Sequence, residues 1–288
     1  MSNLATPHDQ KRTHFENRVR ELYAKAEARS TRPTSEDAQI FQVGNSKKAV
    51  FFPGVVGIDD CDAIFKAVMR YALAHKTNLA VNADHTGGEY ITVPTPPWWT
   101  HDEPFQGAVY LSHSNHVSGH THEPSMPSAS LLGTCSKYVQ GMKLLDDLSL
   151  LSHYANYLIK AVDRPMYDNM VALRERMIAR SPHVKSICAV SPALHSTIGV
   201  IVNRRSGNHR DAKDAKDSWA IMFVFGSFEG GEVDLTYKTS RFVSRFSNGD
   251  AIVLRAGQVH HCIREWKGQY RVTIVYYSNN SVWVEYAP

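Results

Sequence analysis

Residues 207–219, GNHRDAKDAKDSW, run directly into the apolar WAIMFVFG of 219–226, so six charged side chains and a histidine sit at the lip of a buried strand. A turn that only needs solvation has no use for an imidazole beside a carboxylate. His209 and Asp211 stand two apart, and on extended backbone such side chains point the same way. They can therefore approach a single cation together.

The chain on either side of this turn reads as strands. STIGVIVN (196–203) leads into it, and WAIMFVFG, GEVDLTY (231–237), RFVSRF (241–246), DAIVLR (250–255), VHHCIREW (259–266) and YRVTIVYYS (270–278) follow, separated by Gly, Asn and Asp turns. VKSICAV (184–190) and VWVEY (282–286) are read as strands on the same grounds. Apolar spacing is helical earlier in the chain: Leu144, Leu148, Leu151 and Tyr154, then Met170, Leu173 and Met177, with Pro165 dividing two helices. AVFFPG (49–54) and GAVYLS (107–112) are strand-like, and Asp59 or Asp60 caps a helix through Ile64, Phe65, Val68 and Ala72. Short strands following helices predict an α+β fold whose β part is a sandwich or barrel, a jelly-roll in the first instance. Residues 1–48 are assigned to an N-terminal helix and linker, and 49–288 to a single domain with its β core from about 184. The N-terminal segment 11–29 is amphipathic through Phe15, Val19, Leu22 and Ala26, and either hangs on the polar linker STRPTSEDAQ or packs on the core.

The 288 residues, 43% of them hydrophobic, are enough for a sizeable core, and a net charge of +4 is compatible with a nucleic-acid partner without requiring one. Cys61, Cys135, Cys188 and Cys262 are widely spaced and suggest neither a zinc knuckle nor a disulfide framework. The N-terminus has no apolar signal core and no stretch suits a membrane span, so the expectation is a soluble protein of nucleus or cytoplasm. Residues 84–130 are rich in Gly, Pro, Ser and His. Their His113, His116, His120 and His122 are either an ordinary polar loop or a structural zinc site.

A third metal ligand is available where a later strand begins, at His260 or His261. Two histidines and a carboxylate make the facial triad that holds non-haem Fe(II) and leaves positions open. Arg271 opens a further strand, and its guanidinium fork suits a carboxylate.

The ordered set HRD, FEGGEVDL, GDAIVLRAGQVHHCI and GQYRVTIVYYS resembles the Fe(II)/2-oxoglutarate-dependent dioxygenases over residues 195–280. NHRDAKDAKDSWA with FEGGEV and REWKGQYR is more narrowly similar to the TET/JBP-type enzymes that modify nucleic acids. The resemblance implies a double-stranded β-helix, the cofactors Fe(II), 2-oxoglutarate and O₂, and His209, Asp211 and His261 as iron ligands, since HCI fits the family pattern after the ligand and HHC does not. It further implies Arg271 on the distal carboxylate of 2-oxoglutarate, Thr273 assisting it, and Asn203 as an additional co-substrate contact. Asp214, with Lys213 and Asp217, stands where the family often has Asn or Ser, so its role is substrate contact or turn capping. The implied substrate is 5-methylcytosine in DNA, flipped from the stack. Trp98 and Trp99 are candidates for a base platform or for filling a core gap. Arg204, Arg205 and Arg210 either meet phosphates or solvate the turn. A dioxygenase acting on protein, RNA or a small molecule, a catalytically silent nucleic-acid-binding protein, and a cupin-like zinc protein are the rival readings.

Overall fold

The strand Ala220–Gly230 is apolar on both faces because a layer packs against each: Ile221, Phe223 and Phe225 join one buried cluster, and Ala220, Met222 and Val224 join another. The computed structural model describes residues 6–28, 34, 36–74, 89–102, 104–116, 122–132 and 135–287. In chain order the elements are α1 (Pro7–Glu27), β1 (Gln39–Val43), β2 (Ser46–Phe52), α2 (Ile58–Ala74), β3 (Glu89–Tyr90), β4 (Gly107–Ser112), α3 (Ala129–Leu132), α4 (Cys135–Asp147), α5 (Ser149–Val162), α6 (Arg164–Arg180) and α7 (Pro182–Val190). The β core follows with β5 (Thr197–Val202), β6 (Arg204–Arg205), β7 (Ala220–Gly230), β8 (Val233–Tyr237), β9 (Ser240–Ser244), β10 (Ala251–Leu254), β11 (His260–Ile263) and β12 (Trp266–Tyr277), closed by α8 (Asn280–Glu285).

A seven-stranded antiparallel sheet runs in the order β1-β2-β10-β7-β12-β5-β4, and a three-stranded sheet β11-β8-β9 faces it. Val233, Leu235, Phe246, Val259, Ile263 and Trp266 fill the space between the sheets together with Met222, Val224 and Ile252. Helices cover the other side of the large sheet. This is the α+β jelly-roll expected from the strand pattern. Period-2 alternation then decides where each β12 side chain goes. Val272, Ile274 and Tyr276 belong to the helix-side cluster, while Val275 and Tyr277 pack into the inter-sheet cluster. Arg271 and Thr273, in phase with the latter pair, point between the sheets.

Two segments read as strands are helices. Ser181 caps α7 by accepting a hydrogen bond from Val184 N–H at 3.3 Å, Pro182 occupies its first turn, and Val184, Ile187 and Cys188 bury one face. The β-branched composition of 184–190 mimics a strand, but its i, i+3, i+4 spacing and Ser-Pro start are helical. The β core therefore begins at Thr197 rather than near 184. VWVEY forms most of α8, whose Val282 packs with Tyr286 against Leu173, Met177 and Val184.

The N-terminal helix packs on the core. Thr6 and Asp9 form a capping box, Phe15, Val19, Leu22 and Tyr23 are buried, and the Phe15 ring stacks on Tyr154 of α5 at 3.8 Å. Lys11 pairs with Asp60, which also accepts from the Tyr154 hydroxyl at 2.8 Å. Residues 39–48, grouped with the linker in the sequence reading, form β1 and the start of β2 at one edge of the large sheet. No described helix is long and apolar enough to cross a membrane.

Candidate metal centre

The turn that carries His209 is tied to β11. His209 N–H donates to the His261 carbonyl at 3.1 Å and His261 N–H returns the bond at 2.8 Å. Asp211 N–H donates to Ala256 O at 3.1 Å, and Asp214 N–H to Asp211 O at 2.9 Å. A loop with this many main-chain bonds holds its side chains in place.

The three side chains converge. One ligand atom from each of His209, Asp211 and His261 lies within 4.8 Å of the other two. His209 Nε2 is 3.5 Å from Asp211 Oδ1, and His261 Nε2 is 3.6 Å from Asp211 Oδ2. The far nitrogens are equally specific: His209 Nδ1 is 2.8 Å from Gly207 O, and His261 Nδ1 is 3.1 Å from Val259 O. A carbonyl only accepts, so each Nδ1 carries the proton and each Nε2 turns its lone pair toward Asp211. Burial, above all, pushes the His261 pKa down and favours the neutral ring. Two neutral imidazoles and one carboxylate with room around them are a donor set suited to non-haem Fe(II). His260 is exposed on the outer side of β11, opposite Thr236, and joins no such group among the described residues.

Arg271 is the other feature. Its side chain is 1% exposed, its Nε and Nη2 have no acceptor, and only aromatic rings, Phe228 at 5.1 Å and Phe246 at 5.7 Å, flank the guanidinium. Burial lowers its pKa to about 9. Leaving a buried cation unpaired is costly, so this pocket is built for an anion supplied from outside the chain. The FEGGEV motif makes the room. Gly231 has φ +72°, and a Cβ there would stand 3.4 Å from Arg271 Nε and 3.2 Å from Trp266 Cβ. Thr273, 8% exposed, follows Arg271 on the same face.

Several expected contacts fall elsewhere. Asn203, at φ 51° and fully buried, accepts from Arg271 N–H at 2.7 Å through Oδ1 and donates to Phe105 O at 2.6 Å through Nδ2. Its carboxamide joins β12 to the 105 loop and positions Arg271, which replaces the expected co-substrate contact. Trp98 and Trp99 pack against Phe65, Phe105 and His101 on the helix side of the large sheet, so they fill the core and form no base platform. Arg205 pairs with Glu89 and, at 3.2 Å, with Glu265. Arg204 is buried on β6, and Arg210 stands exposed between His209 and Asp211. The histidine-rich stretch disperses. His113 is buried 3.9 Å from Cys188 Sγ, His116 lies 3.1 Å from Glu285, His122 is exposed, and His120 lies outside the described residues.

Sequence reasoning missed one side of the site. Tyr277 extends the interior row Arg271, Thr273, Val275, and its hydroxyl pKa is raised by burial and by the proximity of Tyr110, Asp214 and Asp211. Asp214 is 8% exposed, with a pKa pushed up to about 8 by burial and by Asp211. Asn279 bridges Asp214 through the backbone and donates to Asn115 Oδ1 at 2.9 Å. Counting in twos from Arg271 would have found Tyr277. The Asn115–Asn279 pairing has no sequence signal.

No family model and no curated protein sequence matches the chain. Solved structures do. NgTET1 in complex with 5mC DNA aligns with a TM-score of 0.60 over 96% of this chain and 92% of that one, at 12% identity. A prolyl hydroxylase from Trichoplax adhaerens, bound to a hypoxia inducible factor oxygen degradation domain peptide fragment, aligns at 0.37 over 93% and 91%, with 8% identity. An oxidoreductase of the 2OG-Fe(II) oxygenase family from Burkholderia pseudomallei aligns at 0.27 over 33% and 57%, with 19% identity. At 12% identity the NgTET1 likeness is one of fold, and the fold is that of a 2OG-Fe(II) oxygenase.

Proposed function

We propose that this protein is an Fe(II)- and 2-oxoglutarate-dependent dioxygenase that oxidises 5-methylcytosine in DNA. The observation that carries the first half is the pairing of a His209–Asp211–His261 donor set with Arg271, a buried guanidinium that lacks an acceptor for Nε and Nη2. When bound, iron with 2-oxoglutarate and O₂ supplies an oxidant for a C–H bond, and 2-oxoglutarate leaves as succinate and CO₂. His209, Asp211 and His261 hold the metal on one side and leave the other open. Arg271 takes the distal carboxylate of 2-oxoglutarate through its two unspent N–H groups, with the Thr273 hydroxyl as a further donor. Phe228, Phe246 and Trp266 keep water from that end.

The substrate half rests on other support. The H-R-D turn and the FEGGEV strand resemble those of TET/JBP-type enzymes, and the fold is shared with a protein crystallised with 5mC DNA. A methyl group inside a duplex cannot reach a metal between two sheets unless the base leaves the stack. Tyr277, Tyr110, Asp214 and Asn279 give a flipped base an aromatic wall and polar edges, while exposed Arg210 meets the backbone. Incubation with methylated and unmethylated DNA and RNA, read by nucleoside mass spectrometry and succinate formation, tests both halves. Succinate and 5-hydroxymethylcytosine from methylated DNA are expected. Succinate without any oxidised nucleoside would remove the substrate and retain the oxygenase.

A further inference from the structure

Outside the metal centre, a groove of about 430 Å³ opens between the β1–β2 hairpin, the start of α6 and the loop after β10, lined by Ser46, Lys48, Asp163, Asn169, Arg255 and Gln258 among others. Lys48 is 5% exposed. Its ammonium donates to Gln258 Oε1 at 2.7 Å and stands 4.1 Å from the centroid of the Tyr237 ring, and no carboxylate among the described residues lies within ion-pair distance. Arg255, whose N–H donates to Lys48 O at 3.0 Å, stacks its guanidinium 4.3 Å from the Trp219 ring centroid. Its Nη groups reach Asp163 Oδ2 at 3.4 Å and Asp217 O at 2.6 Å, but its buried Nε has no acceptor.

The charges in this groove do not cancel. Asp163 is already committed to the Trp219 indole at 2.9 Å and to Met166 N–H at 3.0 Å, as well as to Arg255. The Asp217 side chain is 80% exposed, so solvent screens it. Two largely buried cations thus face one largely buried carboxylate. A buried ammonium stabilised only by an amide oxygen and a ring face is poorly compensated.

We propose that this groove is a second ligand site, distinct from the metal centre, that takes a singly charged phosphate-type oxyanion on Lys48 Nζ and Arg255 Nε, with Asn169 and Ser46 at its rim. A tetrahedral oxyanion accepts from several directions at once, which suits donors spread over two strands and a helix better than a planar carboxylate does. The groove volume accommodates a phosphate ester and not only the bare ion. The source is a nucleic-acid backbone or a small phosphate ester, which share this chemistry. A ligand there would rest on the segment 255–259, whose Ala256 and Val259 carbonyls hold Asp211 N–H and His261 Nδ1.

The test titrates the metal-free full chain with inorganic phosphate, followed by ¹H–¹⁵N NMR, so its result does not depend on the oxygenase reading. Saturable shifts at Lys48, Arg255 and Gln258 are expected, with affinity reduced about tenfold or more in Lys48→Met, because a charge-assisted hydrogen bond is lost, and largely kept in Lys48→Arg. Asn169→Trp, which plugs the rim without touching Lys48, should abolish the shifts and decides the matter if Lys48→Met does not fold. Competition by a short single-stranded oligonucleotide assigns the site to a nucleic-acid backbone, and saturation without competition assigns it to a small phosphate ester. Absence of saturable shifts in the unmodified protein, or unchanged affinity in Asn169→Trp, overturns the proposal.

Discussion

His209 and His261 exchange both main-chain hydrogen bonds, at 3.1 and 2.8 Å, and bring their rings to a centroid separation of 4.2 Å. A single two-residue bridge between a turn and a strand therefore fixes the spacing of two metal ligands before any metal arrives. Each ring is oriented by a carbonyl two residues earlier in its own chain segment.

The first prediction follows from that bridge. His209→Ala, Asp211→Ala and His261→Ala should each reduce Fe(II) affinity by at least about two orders of magnitude, beyond the 10–100-fold typical of losing an outer-shell partner. His260→Ala should retain near-normal affinity, since that ring faces solvent. Anaerobic titration with Fe(II) measures both, and a dead His260→Ala beside a metal-binding His261→Ala would reverse the ligand choice.

Arg271→Met should separate binding from stability. The 2-oxoglutarate requirement is expected to rise at least about tenfold, because charge-assisted hydrogen bonds are each worth roughly 1.5–3 kcal/mol. The melting temperature of the ligand-free protein should hold or rise, because a buried cation without an acceptor at Nε or Nη2 is removed. A large fall in Tm would make Arg271 a structural residue.

Gly231→Ala tests the room left by the FEGGEV turn. A Cβ at φ +72° and 3.4 Å from Arg271 Nε should cost on the order of 1 kcal/mol or more in stability and weaken 2-oxoglutarate binding in the same variant. Gly44→Ala, also at positive φ but with nothing within 4 Å of the added carbon, should lose stability alone. Isothermal titration with 2-oxoglutarate beside thermal melts distinguishes the two.

Acid should weaken the fold through His113. Burial lowers its pKa from 6.5 to about 3, so the unfolded chain binds a proton that the folded one refuses. Stability from this group is complete above pH 6.5 and is lost as pH falls from there toward 3, with a slope of up to about 1.4 kcal/mol per pH unit. Denaturant melts of His113→Leu should show a correspondingly flatter decline between those limits. An identical slope in both proteins would count against the buried neutral ring.

Trp99→Ala should cost about 3–5 kcal/mol, the range for emptying a large aromatic site in a core. DNA affinity of the folded protein should be unchanged, because Trp99 packs with Phe105 and His101 behind the large sheet. A selective loss of DNA binding with normal stability would restore the platform role.

The sequence by itself determined the chemistry on offer and most of the β core. Strand alternation is local, so WAIMFVFG and YRVTIVYYS declared themselves, and the order of H-x-D, histidine and arginine carried the donor set. Local patterns fail where two structures share a composition. VKSICAV and VWVEY are short and β-branched, and only packing on Leu173 and Met177 makes them helices. The tertiary structure also decided every question of facing: that His261 points inward and His260 outward, that Asn203 spends its amide on neighbouring backbone, and that Trp98 and Trp99 lie behind the sheet. Facing depends on what the rest of the chain brings alongside, and no residue carries that information alone. The same holds for Arg271. A guanidinium on a strand is ordinary in sequence, and it becomes a candidate co-substrate anchor only once Phe228, Phe246 and Trp266 close around it without a carboxylate among them.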